Sequence, residues 1–254
     1  MKRGSLLFIF LNMMLLAVLS GCTSTRTIDA QLASENDPVE SLNRSMWQLN
    51  WEVLDKHVLR PTTVAYVEYV PGFVRTGLAN AANNLEEPSS AINNLLQGKL
   101  TNSLASVGRF VINSSFGLLG LVDVAEKVGI QPKKEEFGET LAVWGIGTGP
   151  YLMLPALGPT DIRSGSGDLM DSAYFPLADL HSPFNILRVV VGALEGRAQL
   201  MEQEQLLYDA VDSYSMVKNI YFQNLNNKVH DGKPPVVENQ QEQNDEIDAL
   251  LEDF

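Results

Sequence analysis

Few side chains in this sequence are placed to do chemistry, and one cysteine stands apart from the rest. Cys22 is the only cysteine among 254 residues, so it has no internal disulfide partner. It follows Leu19-Ser20-Gly21, and the apolar run Leu6–Leu19, broken only by Asn12, comes after Lys2 and Arg3. A charged start, a short apolar run and small residues describe a secretory signal, too short for a spanning helix. Leu-Ser-Gly-Cys also fits the bacterial lipoprotein processing box, in which the sulfur receives diacylglycerol and cleavage leaves Cys22 as the first residue. Several acyl chains, at about 0.8 kcal/mol per buried CH₂, make a stable anchor. Thr23 comes next, where an aspartate would argue for retention at the inner membrane. The expected destination is therefore the periplasmic face of the outer membrane. The competing reading is an ordinary cleaved signal followed by a chance cysteine.

The remaining candidates offer little catalysis. His57, His181 and His230 are the only histidines, and no two have the spacing of metal ligands. There is no nucleophile elbow and no phosphate loop. The "GIGTGP" run, Gly145–Pro150, lacks the third glycine and the preceding strand of a dinucleotide site. Glu139 and Asp161 could form a glycosidase-like acid pair, but acids are plentiful here: 31 Asp and Glu against 18 Lys and Arg give a net charge of −13. The sequence argues against an enzyme, and neither metal nor cofactor is expected. So acidic a chain, with no basic cluster, is also a poor partner for nucleic acid. Arg109 and Arg163 could meet a lipid phosphate, against the alternative of surface or capping arginines. Trp47, Trp51 and Trp144 suit a water–lipid boundary, with core tryptophan as the competing reading.

The elements that must position these residues are helical. Asp37, Pro38 and Glu40 have the order of an N-cap, a first-position proline and a capping box. Two apolar stripes follow, Leu42/Met46/Leu49/Val53 and Trp47/Trp51/Leu54/Val58, making a face wider than one core contact needs. Pro61 is expected to close this helix. Shorter pieces punctuated by Pro71, Pro88 and Gly98 come next, then a stripe of Leu100, Leu104, Val107 and Val111. Val122–Val128 and Asp168–Phe175 suggest short helices, with residues 131–136 as a surface loop. A helix starting at Ser182-Pro183 is expected to bend at Gly196 into a last one reaching about Asn226. No run alternates with a strand's period. The expected fold is all-α: a signal over 1–21, a lipidated tether over 22–36, one helical domain over 37–228, and an acidic, disordered tail over 229–254.

Several segments resemble the VacJ/MlaA lipoproteins: "NDPVESLNRSMWQLN" (Asn36–Asn50), "ANNLEEPSSAINNLLQGK" (Ala82–Lys99), "GRFVINSSFGLLGLVDVA" (Gly108–Ala125), "EFGETLAVWGIGTGPYLMLPALGPTDIR" (Glu136–Arg163) and "DSYSMVKNIYFQN" (Asp212–Asn224). After Arg163 the family usually shows an aspartate where this chain has Ser164. The resemblance implies a compact, ring-like helical bundle in the periplasmic leaflet of the outer membrane, associated with a trimeric porin. It implies removal of phospholipid from the outer leaflet and transfer to a soluble periplasmic lipid-carrier protein, without bond breaking or nucleotide.

Thr140–Thr160 carries no charge over 21 residues yet contains Pro150, Pro155 and Pro159. Non-helical backbone at membrane depth is tolerated only when buried in protein or lining a cavity. A re-entrant hairpin is expected: a helical arm ending near Trp144, a glycine turn at Gly145–Gly149 and a proline-bounded return through Tyr151–Leu157, with Trp144, Gly145, Gly147, Gly149, Pro150, Tyr151, Leu152, Leu154 and Pro155 as the passage candidates. These residues would wall a lipid passage; the alternative is a loop folded into a soluble core. Replacing Cys22→Ser should leave an unprocessed protein that fails to reach the outer membrane. Membrane fractionation and intact mass test this, and normal outer-membrane recovery of the variant would contradict the lipoprotein reading.

Overall fold

A computed structural model describes residues 37–174, 176, 178 and 182–234. The expected signal, Cys22 with its tether, His181, and the tail beyond residue 234 lie outside the described residues. One helical run opens the fold: α1 (Glu40–Gln48), π-helical turns (Leu49–Leu59), then α2 (Arg60–Tyr69). Pro61 does not close it. The proline falls at an early position of α2, where its fixed φ is compatible with a helix. Nor is Asp37 the cap, since α1 begins after Val39 without a side-chain cap bond. The Asp37 carboxylate instead accepts from Asn43 Nδ2 at 2.9 Å and from Tyr214 Oη, and lies 3.5 Å from Lys218 Nζ. Long-range partners have taken the group that local pattern assigned to capping.

The true break is at Val70, extended ahead of Pro71, as a residue preceding proline prefers. α3 (Gly72–Leu96) then runs unbroken through Pro88. Its buried side chains on either side of the proline, Asn84, Glu87, Ser89 and Ser90, hold it in place; tertiary contact overrides local propensity. A turn at Gly98, with φ +79°, returns the chain into α4 (Leu100–Phe116), which packs along α3. α5 (Val124–Lys127), shorter than expected, is capped by Asp123 accepting from Glu126 N at 3.0 Å.

α6 (Phe137–Val143) opens with a capping box in which Glu136 and Glu139 serve each other's backbone. The uncharged stretch then forms a hairpin of two four-residue strands, β1 (Tyr151–Leu154) and β2 (Gly158–Asp161), with Tyr151 opposite Asp161 and Leu154 opposite Gly158. No strand was expected; four residues are too few to show a readable alternation. The fold is all-α apart from this hairpin. α7 (Ile162–Asp171) starts directly after it, earlier than the expected helix at Asp168, because Asp161 caps it by accepting from Ser164 N. α6 and α7 cross backbone to backbone: a Cβ on Gly167 would lie 2.3 Å from Gly138 N. α8 (Ser182–Leu200) passes straight through Gly196, followed by α9 (Glu204–Asp209) and α10 (Ser213–Val229). The first residues assigned to the tail are structured, with Asp231 on Lys99 at 2.6 Å.

The apolar core is small. Tyr151 and Met153 of β1 meet Tyr214 and Phe222 of α10, with Met46, Trp47, Val217, Tyr221 and Leu225 around them. β1 is held from its other edge by side chains of the opening helix. Asn43 donates to Tyr151 O and accepts from Met153 N, both at 2.9 Å, and Asn50 repeats the pattern on Leu154 O and Ala156 N, both at 2.8 Å. Asn43→Ala would leave two buried backbone groups without partners, a loss on the order of 3 kcal/mol. Asn50→Ala should cost less, because Ala156 is exposed. Denaturant unfolding of the two variants checks this; equal stability of Asn43→Ala and the parent would contradict it.

Candidate functional site

The distribution of polarity is inverted. Among the described residues, 21 polar or charged side chains are buried against nine hydrophobic ones, whereas an ordinary soluble interior is dominated by aliphatic residues. The apolar stripe of α4, Leu100, Leu104, Val107 and Val111, faces outward, as do Phe184, Ile186, Leu187 and Val190 of α8.

Three polar clusters fill the interior. Between α3, α4 and α5, Arg109 donates to Glu87 at 2.5 Å, Asp123 at 2.7 Å and Ile130 O at 2.6 Å. Where α3 meets α6 and α7, Asp171 accepts from Ser89 and Asn93 at 2.7 Å and from Phe137 N at 2.8 Å. Beside it Glu135 accepts from Gln97 and Lys99, both at 2.8 Å. Between the opening helix and α8, Arg197 pairs with Asp55 and Glu204, each at 2.7 Å. In the same helix layer Tyr66 donates to Glu195 at 2.9 Å. Buried polar groups need such partners, since an unmade hydrogen bond in the interior costs about 1–3 kcal/mol.

The expected site residues separate. Trp144 ends α6 exposed, its Nε1 on Leu96 O at 3.3 Å and its ring edge-on to Phe137. Gly145, Gly147 and Gly149 form an exposed loop, with φ of +88° at Gly145 and +72° at Gly149, conformations that favour glycine. Pro150, Leu152 and Leu154 are half-buried and Pro155 is exposed. Tyr151 is different: it is fully buried in the apolar core against Tyr214, Tyr221 and Phe222, so it does not wall a passage. The alternation along β1 sends it inward and Leu152 to the other face.

Both arginines expected at a lipid headgroup are turned inward. Arg109 is committed to the cluster of Glu87 and Asp123. Arg163 is buried, with Nη1 on Ile146 O at 2.9 Å and its backbone N on Thr148 O at 3.1 Å. It pins the glycine loop. Trp47 and Trp51 are half-buried and stacked at 5.6 Å; Trp47 donates to Ser213 and Trp51 leans on Tyr208. With Arg44, Val53, Val211 and Tyr214 they line a groove of about 660 Å³. Asp161 caps α7 and accepts from Tyr221 Oη at 2.5 Å, so it is not one half of an acid pair with Glu139.

Sequence reasoning missed the interior clusters. The available signal was a polar stripe on α3, with Asn84, Glu87 and Asn94 at helical spacing opposite apolar positions. It also missed the clasp at the end of α10, where Lys228 lies 3.0 Å from Glu136 and 3.6 Å from Glu139. Burial, proton sharing with Glu135 and the charge of Glu136 push Glu139 up to about 8, with Lys228 opposing. Burial and the charges of Glu136 and Asp171 push Asp168 up to about 6. No group of His, Cys, Asp and Glu among the described residues is placed to hold a metal ion, and no described helix is long and apolar enough to cross a membrane.

Residues 35–228 match the family model described as MlaA lipoprotein. The chain is 38% identical over 209 residues to the intermembrane phospholipid transport system lipoprotein MlaA of Escherichia coli K12, covering 81% of this chain and 82% of that protein. It is 36% identical over 234 residues to the protein of the same name from Haemophilus influenzae, covering 90% and 92%. A solved structure described as the structural basis for maintenance of bacterial outer membrane lipid asymmetry superposes with a TM-score of 0.71 at 38% identity. That match covers 74% of this chain and 96% of the other.

The raised carboxyls make stability depend on pH. Folded protein holds the Glu139 proton up to about pH 8, whereas an unfolded chain releases it near 4.5, so the folded state binds more protons across that window. The stabilisation is complete below the window and is lost as pH rises through it. Glu139→Gln, which keeps an acceptor for Glu136 N, should lessen the fall in melting temperature across that range. Asp168 leaves a residual slope of the same sign. An unchanged slope in the variant would show that Glu139 is ionised throughout.

Proposed function

The chain belongs to the MlaA lipoprotein family, and we propose that it serves intermembrane phospholipid transport and so maintains outer-membrane lipid asymmetry. It sits in the outer membrane, anchored through Cys22 on the periplasmic side. It takes phospholipid from the outer leaflet through an amphipathic passage and hands it to a soluble periplasmic carrier, with a trimeric porin as its neighbour in the membrane. No bond is broken and no cofactor is used.

The observation that carries this reading is the inverted polarity. A lipid headgroup crossing hydrocarbon loses its water, and each unpaired polar group costs several kcal/mol. A protein whose helices face outward with leucine, valine and phenylalanine, and whose charges are gathered inside and paired, can stand among acyl chains beside the headgroups it is to move. The helices lie within one leaflet in this arrangement. The glycine loop fits it as well. Ile146 O and Thr148 O are taken by Arg163, and Gly145 N and Ile146 N by Ala142 O and Leu141 O. Irregular backbone satisfied in this way can stand at membrane depth. The exposed Trp144, Ile146 and Leu157 then meet lipid.

The decisive measurement is outer-leaflet phospholipid in a strain lacking the gene and complemented with variants. The parent protein should clear the excess. Leu104→Glu with Val111→Glu should retain the helical fold in detergent yet fail to clear it, since each charge placed in hydrocarbon costs about 2.5–3.5 kcal/mol. Full clearance by that double variant would mean that the α4 stripe does not face lipid. Failure of the parent itself, with normal envelope assembly, would favour a structural porin-associated lipoprotein.

A further inference from the structure

Two adjacent leucines stand in a backbone conformation that leucine seldom adopts. In the turn between α4 and α5, Leu118 and Leu119 have φ of +53° and +59°, a left-handed region where bulky residues are outliers. Both point away from the protein, 69% and 80% exposed. Strain of this kind persists where the surrounding structure imposes it, and it gathers at functional sites. Here the structure that imposes it lies beneath the turn and is polar. Asn113 O accepts from both Gly117 N at 3.0 Å and Gly120 N at 2.9 Å, and Gly117 O accepts from Val122 N at 2.9 Å. Gly120 lies so close to α3 that a Cβ on it would come 2.7 Å from Asn84 Cβ. Asn84 in turn donates to Ser114 Oγ at 2.9 Å. The turn is thus fixed with its two glycines inward and its leucines outward, and Phe116 and Leu121 beside them are exposed as well.

A protein or a lipid surface could cover such a turn, and its polar groups decide between them. Protein interfaces carry a polar rim and about one hydrogen bond per 100–200 Å². From Phe116 to Val122 no side chain has a donor or an acceptor. The amides of Gly117, Leu119, Gly120, Leu121 and Val122 are already spent on carbonyls between Asn113 and Leu118. Little is left for a protein partner to bond. Charge is graded along the chain in the way a bilayer boundary requires. Phe110–Val122 carries none, whereas Asp123, Glu126 and Lys127 follow at once, the last two exposed. The outward stripe of α4, Leu104, Val107 and Val111, leads into the turn from the other side. We propose that the Leu118–Leu119 turn is a wedge seated at the headgroup–acyl boundary of a bilayer. Its leucine side chains enter the apolar layer, while the backbone and the charges behind it stay at headgroup level, as in interfacial helices. The inference rests on the reading in which α4 faces lipid, and adds to it an attachment point independent of the acyl chains on Cys22.

The test uses the lipidated protein in vesicles of phosphatidylethanolamine and phosphatidylglycerol, where acylation blocks the Cys22 thiol. Leu118→Cys, Leu119→Cys, Val107→Cys and Lys127→Cys each receive an environment-sensitive fluorophore, and doxyl groups on the acyl chains serve as quenchers. Emission at positions 118 and 119 should shift to the blue and be quenched several-fold more than at 127. A second measurement leaves the turn unaltered. A phospholipid with a photoactivatable acyl chain should cross-link the parent within the tryptic peptide Phe110–Lys127, at Leu118 or Leu119. Quenching at 118 and 119 no greater than at 127, or cross-links in that peptide confined to positions before Phe116, would overturn the proposal. Shielding from aqueous iodide without doxyl quenching would put protein on the turn instead of lipid, and would overturn it too. If Val107→Cys is quenched while 118 and 119 are not, only this inference falls. If none of the three is quenched, the lipid-facing reading of α4 falls with it.

Discussion

A strand buried against a helix must find partners for the backbone groups on its free edge. In this protein the Asn43 carboxamide supplies them, and much else follows from that contact. By taking both Tyr151 O and Met153 N, Asn43 sets the register of β1 against the opening helix. That register turns Tyr151 and Met153 towards Tyr214 and Phe222 and so creates the apolar core. The same Asn43 donates to Asp37, which also accepts from Tyr214. One side chain thus joins the start of the described chain, its middle hairpin and its last helix. Water would compete for each of these bonds on an exposed surface; buried, they are exclusive.

The rest of the interior obeys the same constraint on a larger scale. Buried ion pairs seldom add net stability over well-packed apolar groups, because desolvation offsets their attraction. They persist here in clusters whose members have several partners each, such as Arg109 among Glu87, Asp123 and Ile130 O. In the proposed lipid setting, burying apolar surface between helices would bring little gain, since hydrocarbon already surrounds it. Polar contacts between helices then fix the arrangement, and the apolar faces are left for the solvent they match.

What the sequence disclosed and what it concealed divide by range. Features fixed within a few residues were legible: the break before Pro71, the turn at Gly98, the start at Ser182-Pro183, the end of a helix near Trp144 and the glycine turn behind it. So was the outward stripe of α4 as a stripe, though not which way it faced. Features decided by distant partners were misread. Asp37 has the pattern of a cap but is claimed by Tyr214 and Lys218. Pro61 and Pro88 suggest ends but lie in helices that tertiary contacts hold together. Arg109 and Arg163 suggested surface cations because the acids and carbonyls that take them come from other elements. Tyr151 looked like part of a lipid-facing return because nothing local shows that a four-residue strand will have one face in a core.

The contact of Gly138 with Gly167 bears on the mechanics of the loop between them. Two helices separated by side chains can slide, because rotamers change and the layer between them shears. Here backbone touches backbone, so α6 and α7 move as a single rigid body. The segment from Trp144 to Pro150 leaves that body and the hairpin returns to it, which makes the whole excursion a beam clamped at both ends. Such a beam cannot swing like a hinged flap. Its centre is tied to the same body as well, through Arg163 on Ile146 O and Thr148 O, so the left-handed turns at Gly145 and Gly149 are fixed bends and not hinges.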